Sequence, residues 1–377
     1  MSTDSMRRAA DQIGRVCREP HDLVSLWQQA TEVLASAVPH YWTPCWYTLD
    51  PASLLMTSHF HSGLAEFPPQ WLAVEYGEER NGIVDVVRSA TGLSTLHDTL
   101  GGDPSKSERW QRNMTMGGDQ EMIARLRTRS GEVWGALALY REPGAAMFDP
   151  AEKEFVATVA PTLADGVRRS LLIGQADEPE YVDSPGLLVL DSTYEIESAS
   201  AGVQRWIADL PDGDWDRQKL PSAVVTLAAR AFRNAAEDRP DEVLVSRALS
   251  RSGTWVVLHG ARLTSTGQTR VAVIIEPAHP SRIYPLLMSA YGLTERERDV
   301  TRLVLQGAST SQIAHDMTVS AHTVQQHLKA IFDKTGVRSR RDLVAKVFFT
   351  HYEPRFRDNE HRVTATKPVR GGPWPTY

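Results

Sequence analysis

A chain of 377 residues that is 41% hydrophobic and 23% charged is long enough for two or three ordinary cores, and its composition is globular. A net charge of −6 excludes a protein that is basic throughout, as a nonspecific nucleic-acid binder would be. Two cysteines, Cys17 and Cys45, lie outside any CxxC or Cys/His spacing, so they read as buried small hydrophobes and not as a disulfide or zinc framework.

The longest apolar runs, "VAVIIEP" and "WVVLHG", are of strand length, far below the ~20 residues a membrane span needs. The N-terminal "MSTDSMRRAADQIGR" has charges but no apolar h-region, so a cytoplasmic location is expected. Residues 21–37 then read as a helix, and "YWTPCWYTLD" and "LLMTSHF" as two strands rich in aromatic and apolar side chains. Helical segments follow near 68–77 and 82–89. The runs "EMIARLR" and "EVWGALALY" straddle Ser130-Gly131 as a hairpin. A long helix over 150–172 is announced by Asp149 as N-cap, Pro150 at the first position and Glu152 completing a capping box. Val156, Val159, Leu163, Val167 and Leu171 form its apolar stripe, which suits covering a sheet, carrying movement between domains or pairing with a copy of itself.

The acidic stretch "GQADEPEYVDSP" over 174–185 reads as a linker. Beyond it come the strand "LLVLD", helices in "AGVQRWIADL" and "SAVVTLAARAFRNAAE", and three strands in hairpin succession, which argue for a second antiparallel sheet with helices on one face. No repeat at a fixed period is visible. The last residues, 352–377, read as a disordered tail.

Between 291 and 348 the local signals agree most closely. Nine Lys/Arg against six Asp/Glu give this segment +3, leaving −9 on the remainder. Thr294 with Glu297 and Ser309 with Gln312 are capping boxes. Ser320 caps a third helix that Gly336 ends, and Ser339 caps a fourth. Four short helices with tight connections predict a helix-turn-helix bundle over 285–350. On the third helix Val324, Leu328, Ile331 and Phe332 fall on one arc, whereas Gln325, Gln326 and Lys329 point away from it. Glutamine carries a donor and an acceptor and can pair bidentately with adenine, so Gln325 and Gln326 are the expected base readers. Lys329, Lys334, Arg338 and Arg340 supply charge, while Ser309, Thr310, Ser320, Thr323 and His322 lie where hydroxyls, helix N-termini and an imidazole meet DNA.

The stretch "LTERERDVTRLVLQGASTSQIAHDMTVSAHTVQQHLKAIFDKTGVRSRRDLVA" resembles the DNA-binding domain of the LuxR family of transcription regulators. It departs from that pattern at Ser311-Gln312, where Lys-Glu is common, and at Gln325, where many members have lysine. The resemblance implies that the fourth helix, around Leu343 and Val347, pairs two protomers on DNA. With that anchor, residues 1–173 resemble a GAF sensor domain and 186–280 a PAS-like domain, as in actinobacterial sensor-linked regulators. The expected fold class is multidomain α+β, two antiparallel-sheet domains followed by an all-α four-helix domain. The expected partners are double-stranded DNA, a second copy of the chain, a small-molecule effector and RNA polymerase, with no membrane and no cofactor. Trp42, Trp46, Tyr47 and Met56 are candidates for an apolar ligand pocket, against the plainer reading that they fill a core.

Other constellations fail on spacing. "DGDWD" at 212–216 opens like a calcium loop, but Arg217 stands where that loop needs glycine and Ala223 where it needs glutamate. His315, His322 and His327 lack an i, i+4 relation, and His59 and His61 share a strand face with no supporting ligand motif. No Walker A, GxSxG or GxGxxG pattern occurs, so a non-enzymatic regulator is expected. Its rival is a ligand-independent regulator whose front domains hold a dimer or dock a partner.

Overall fold

A computed structural model describes residues 3–62, 67–76, 81–174, 185–236, 244–265, 268–278 and 286–351. The expected linker, except its end residues, and the expected tail fall outside them. The chain forms two compact units, one built from 1–175 and 182–277, the other mainly from 278 onward.

In the first unit, helices α1 (Thr3–Val16) and α2 (Leu23–Ala37) precede strands β1 (Cys45–Leu49) and β2 (Met56–Phe60). Helices α3 (Pro69–Val74), α4 (Ile83–Arg88), α5 (Leu96–Thr99) and α6 (Glu108–Thr115) surround the short β3 (Leu93–Thr95). The hairpin β4 (Gln120–Arg127) and β5 (Val133–Arg141) leads into α7 (Pro150–Ile173). The antiparallel sheet has the order β2-β1-β5-β4-β3. Its central strands are covered on both faces, which is why "CWYTL" and "WGALALY" are apolar almost without alternation. Gly135 is required where β5 crosses β1, because a Cβ there would stand 2.2 Å from the Tyr47 carbonyl oxygen.

The predicted capping box starts α7, and the stripe Val156, Val159, Leu163, Val167 and Leu171 is buried against the sheet and α1–α2. Trp46 faces the same layer. It stacks on Trp27 with ring centroids 6.4 Å apart, and its indole N–H donates to the Thr31 hydroxyl at 3.1 Å.

The second sheet comprises β6 (Gly186–Leu190), β7 (Ile196–Ala199), β8 (Leu244–Leu249), β9 (Trp255–Ser265) and β10 (Gln268–Pro277), with α8 (Val203–Asp209) and α9 (Ser222–Ala236) between β7 and β8. Its order, β7-β6-β10-β9-β8, repeats that of the first sheet position for position. The chain thus carries the same strand order twice, although no repeat is visible in the residues.

Helix α9 packs on β8, β9 and β10 and also on β2 and α3 of the first sheet. Accordingly Ala223, Val224, Val225, Leu227 and Ala228 are all fully buried, as a helix with apolar residues all round requires. Polar contacts lock the same seam. The Asp50 carboxylate, fully buried, accepts from the Arg247 backbone N–H at 3.1 Å and from its guanidinium at 2.9 to 3.1 Å. Thr226 Oγ1 donates to the Met56 carbonyl at 2.9 Å, and Arg233 Nη1 to that of Tyr76 at 2.6 Å. Asp212 of "DGDWD" faces His59 Nδ1 at 2.8 Å and also binds Ser222. Burial would raise its pKa, but the His59 and Ser222 hydrogen bonds hold it below the usual carboxylate range.

The second unit begins, among described residues, with a helical segment at 286–290, followed by α10 (Glu295–Leu305), α11 (Thr310–Asp316), α12 (Ala321–Thr335) and α13 (Arg340–His351). Val300, Val304, Ile313, Val324, Leu328, Ile331, Leu343 and Val347 form its buried interior. Among the described residues no helix is long and apolar enough to cross a membrane.

Candidate functional site

The capping chemistry expected from the sequence is present in the structure. Thr294 and Glu297 make both bonds of a capping box, as do Ser309 and Gln312, and Ser320 Oγ accepts the Thr323 N–H at 3.0 Å. Gly336 ends α12 in the left-handed conformation at φ 68°, ψ 29°. Between α11 and α12 the chain turns through Thr318, whose φ of 55° is rare for a β-branched residue. Val319 N–H closes the turn on the Ala314 carbonyl at 3.0 Å. The sequence "DMTVS" carries no glycine to advertise this turn.

The buried arc of α12 is Val324, Leu328, Ile331 and Thr335, which leaves His322, Gln325, Gln326 and Lys329 exposed on one face. Gln325 and Lys329 have no hydrogen bond or ion pair among the described residues. Gln326 is held by its i+4 neighbour, its amide nitrogen 3.1 Å from His322 Nε2. The serine hydroxyls at 309 and 320 are engaged as caps.

Two expected cations are engaged elsewhere. Lys334 Nζ donates to Glu297 Oε2 at 2.6 Å, stapling α12 to the start of α10. Arg340 donates to Thr310 Oγ1 at 3.2 Å and to the Ala308 carbonyl, so it closes the α10–α11 connection and occupies Thr310 as well. Arg338 is exposed and unpaired among the described residues. So is Arg341, which spacing alone does not distinguish from Arg340. Burial would raise the Glu297 pKa, but hydrogen bonds from Lys334 and the Thr294 N–H hold it below the usual carboxylate range. Leu343 and Val347 point into their own unit, at 0% and 2% exposure, and among the described side chains of α13 the exposed apolar residue is Val344.

In the first unit, strand alternation divides the four aromatic-pocket candidates. Tyr47 points to the face opposite Trp46 and, with Trp42, lines a small cavity of about 40 Å³ between β1, β5, α3 and α6. Phe67, Trp71 and Tyr140 complete its aromatic wall, Trp42 and Tyr140 having ring centroids 4.9 Å apart. Trp46 and Met56 lie elsewhere in the core, both at 1% exposure or less. Beside the cavity Arg109 makes a two-pronged bond to Glu121, at 2.6 and 2.9 Å, and reaches Glu75 at 2.5 Å. Burial, with the Glu121 charge adding to it, pushes the Glu75 carboxyl up against the pull of Arg109. Asn113, another lining residue that sequence reasoning did not single out, is 8% exposed and its amide nitrogen has no hydrogen-bond acceptor among the described residues.

Residues 292–347 match the family model described as "Bacterial regulatory proteins, luxR family". The helical unit therefore contains a LuxR-type helix-turn-helix domain. The chain is 41% identical over 56 residues to the monoamine regulon transcriptional regulator of Klebsiella aerogenes, covering 15% of this chain and 25% of that protein. It is 50% identical over 52 residues to a putative HTH-type transcriptional regulator of Mycobacterium bovis, 14% of this chain and 6% of that protein. The chain thus spans a quarter or less of the length of these relatives. Crystallised Escherichia coli SdiA aligns with 92% of this chain and 96% of its own at 11% identity and a TM-score of 0.31. A phycoerythrobilin-bound GAF domain from a cyanobacterial phytochrome aligns with 45% of this chain and 95% of its own at 16% identity and a TM-score of 0.30. At these scores neither structural likeness assigns a ligand to this chain.

Proposed function

We propose that the protein is a sequence-specific, DNA-binding transcription regulator that acts as a homodimer and responds to a small molecule through its first unit. The observation that carries the DNA-binding part is the exposed face of α12, where Gln325, Gln326 and Lys329 stand together on the second helix of the helix-turn-helix. In this reading the glutamines address base edges in the major groove. Lys329, Arg338 and Arg341 address phosphates, and Lys334 and Arg340 hold the bundle. Val344 on α13 meets its counterpart in the second protomer, since Leu343 and Val347 are already buried within their own. RNA polymerase is the downstream partner, and the chain itself carries out no catalysis.

Sensing is supported by the aromatic cavity and its unsatisfied donor. A buried amide N–H without an acceptor costs about 1–3 kcal/mol, which a ligand oxygen would relieve. At about 40 Å³ the cavity has room for no more than a few waters, so a larger ligand enters only when an aromatic wall such as Trp42 moves. A ligand that binds one arrangement better than another shifts the population towards it, and α3, which contributes Trp71, packs on α9. Thermal unfolding across a panel of small aromatic carbonyl compounds tests this. Saturable stabilisation in wild type that is lost in Asn113→Leu supports it, and no stabilisation by any compound favours the ligand-independent rival.

A further inference from the structure

A second cavity of the first unit, of about 300 Å³, lies between the β4–β5 hairpin, β3 and the middle of α7, and shares no lining residue with the aromatic cavity. Its lining contains three arginines, Arg125 and Arg127 of β4 and Arg129 of the hairpin turn, and no carboxylate. Arg125 is positioned by the carbonyls of Val87 and Ser89, each accepting from Nη1 at 2.9 Å. Gly92 makes room for it, because a Cβ there would stand 2.6 Å from the guanidinium carbon. Among the described residues Arg127 uses only Nε, on the Gly131 carbonyl at 2.9 Å, leaving its terminal nitrogens. Arg129 has no partner among the described residues. Glu132 of the same hairpin accepts from the hydroxyls of Thr128 and Ser130, at 3.0 and 2.5 Å, and does not line the cavity.

Like charges held together cost free energy unless an anion joins them. Here burial and the Arg127 charge both push the Arg125 pKa down from the usual guanidinium value. A phosphate group carries about −1.5 to −2, so one leaves part of three guanidinium charges uncompensated and two adjacent ones balance them. Planar guanidinium forks also match phosphate oxygens two at a time.

We propose that this groove binds a small molecule bearing two adjacent phosphate groups, with Arg127 and Arg129 as its main ligands and Arg125 at its base. A cavity of this size takes a diphosphate head and leaves any attached group at the mouth.

The test is calorimetric titration of the full-length protein with pyrophosphate in chloride buffer, compared with Arg127→Ala/Arg129→Ala and with the same two positions changed to lysine. Both side chains are exposed, and circular dichroism verifies that each variant is folded. Saturable binding by wild type, roughly tenfold or more weaker in the alanine variant and intermediate in the lysine variant, supports the site. ADP in place of pyrophosphate separates a nucleotide from a free diphosphate. Absence of saturable binding overturns the proposal, as do equal affinities in wild type and the alanine variant, and citrate binding as tightly as pyrophosphate. It is also overturned if pyrophosphate does not bind while the alanine variant loses DNA affinity, which would assign the arginines to the DNA footprint. Because DNA binding is read separately, failure here leaves the regulator reading standing.

Discussion

Replacing Lys334 by methionine separates a stapling role from a phosphate contact. Glu297 is 5% exposed and its Oε2 takes both the Lys334 ammonium at 2.6 Å and the Thr294 N–H at 2.7 Å. A hydrogen bond to a charged group contributes about 1.5–3 kcal/mol, and because the lysine side chain is 35% exposed, solvent screening reduces this to about 1–2 kcal/mol. Hydrogen exchange at the amides of α10 and α12 should therefore accelerate roughly 5- to 30-fold in Lys334→Met. The pH dependence has a definite sign. The Glu297 pKa is lowered in the fold, so its stabilising contribution is present above the unfolded carboxylate pKa of about 4.3 and is lost as pH falls through the folded value. Lys334→Met should flatten that dependence. If Lys334 is a staple, the slope of log affinity against log salt is unchanged once folding is saturated. Loss of a phosphate contact instead lowers the slope by about 1, as Arg338→Ala should. Unchanged exchange together with a reduced slope would refute the assignment.

The seam between the two sheets gives a larger effect. Asp50→Ala leaves the Arg247 guanidinium, only 14% exposed, without its carboxylate and should cost about 3–5 kcal/mol in urea unfolding of the first unit; a change below about 1 kcal/mol would contradict the account. Leu227→Ala in α9 should cost about 2–5 kcal/mol in the same assay, since Leu227 is fully buried between the layers, and a negligible cost would mean that α9 is not packed as described. Burial pushes the thiols of Cys17 and Cys45 up to about 12, so neither should react with a disulfide reagent at pH 8 until urea unfolds the chain; rapid native-state labelling would contradict their burial.

What the residues reveal about this fold depends on how local each signal is. The capping boxes at Thr294, Ser309 and Asp149 and the glycine at 336 need only a few neighbouring residues, and each holds in the structure. The β4–β5 hairpin and the stripe of α7 are likewise local patterns. The opening helix α1 lies outside the expected elements, although Ala9, Ile13 and Val16 recur at helical spacing on its buried side. The repeated strand order stays hidden, because β7 has four residues and β3 three, too few for periodicity to register. Partner choice was the least legible. Lys334 and Arg340 are cations at positions suited to DNA, yet each finds a partner brought near only by folding, 37 and 32 residues away in sequence. Asn113 sits in "RWQRNMTMG" with nothing to mark it until the surrounding aromatics close over it.

The central claim is that the exposed glutamines of α12 read base pairs. In vitro selection of genomic fragments by the full-length protein, repeated with Gln325→Ala and with Gln326→Ala, measures it. The account predicts a two-fold symmetric site in which each substitution relaxes preference at one base pair per half-site, at about 1–3 kcal/mol, while preference elsewhere and the salt slope are kept. Selection of the same site with undiminished preference by both variants would contradict it.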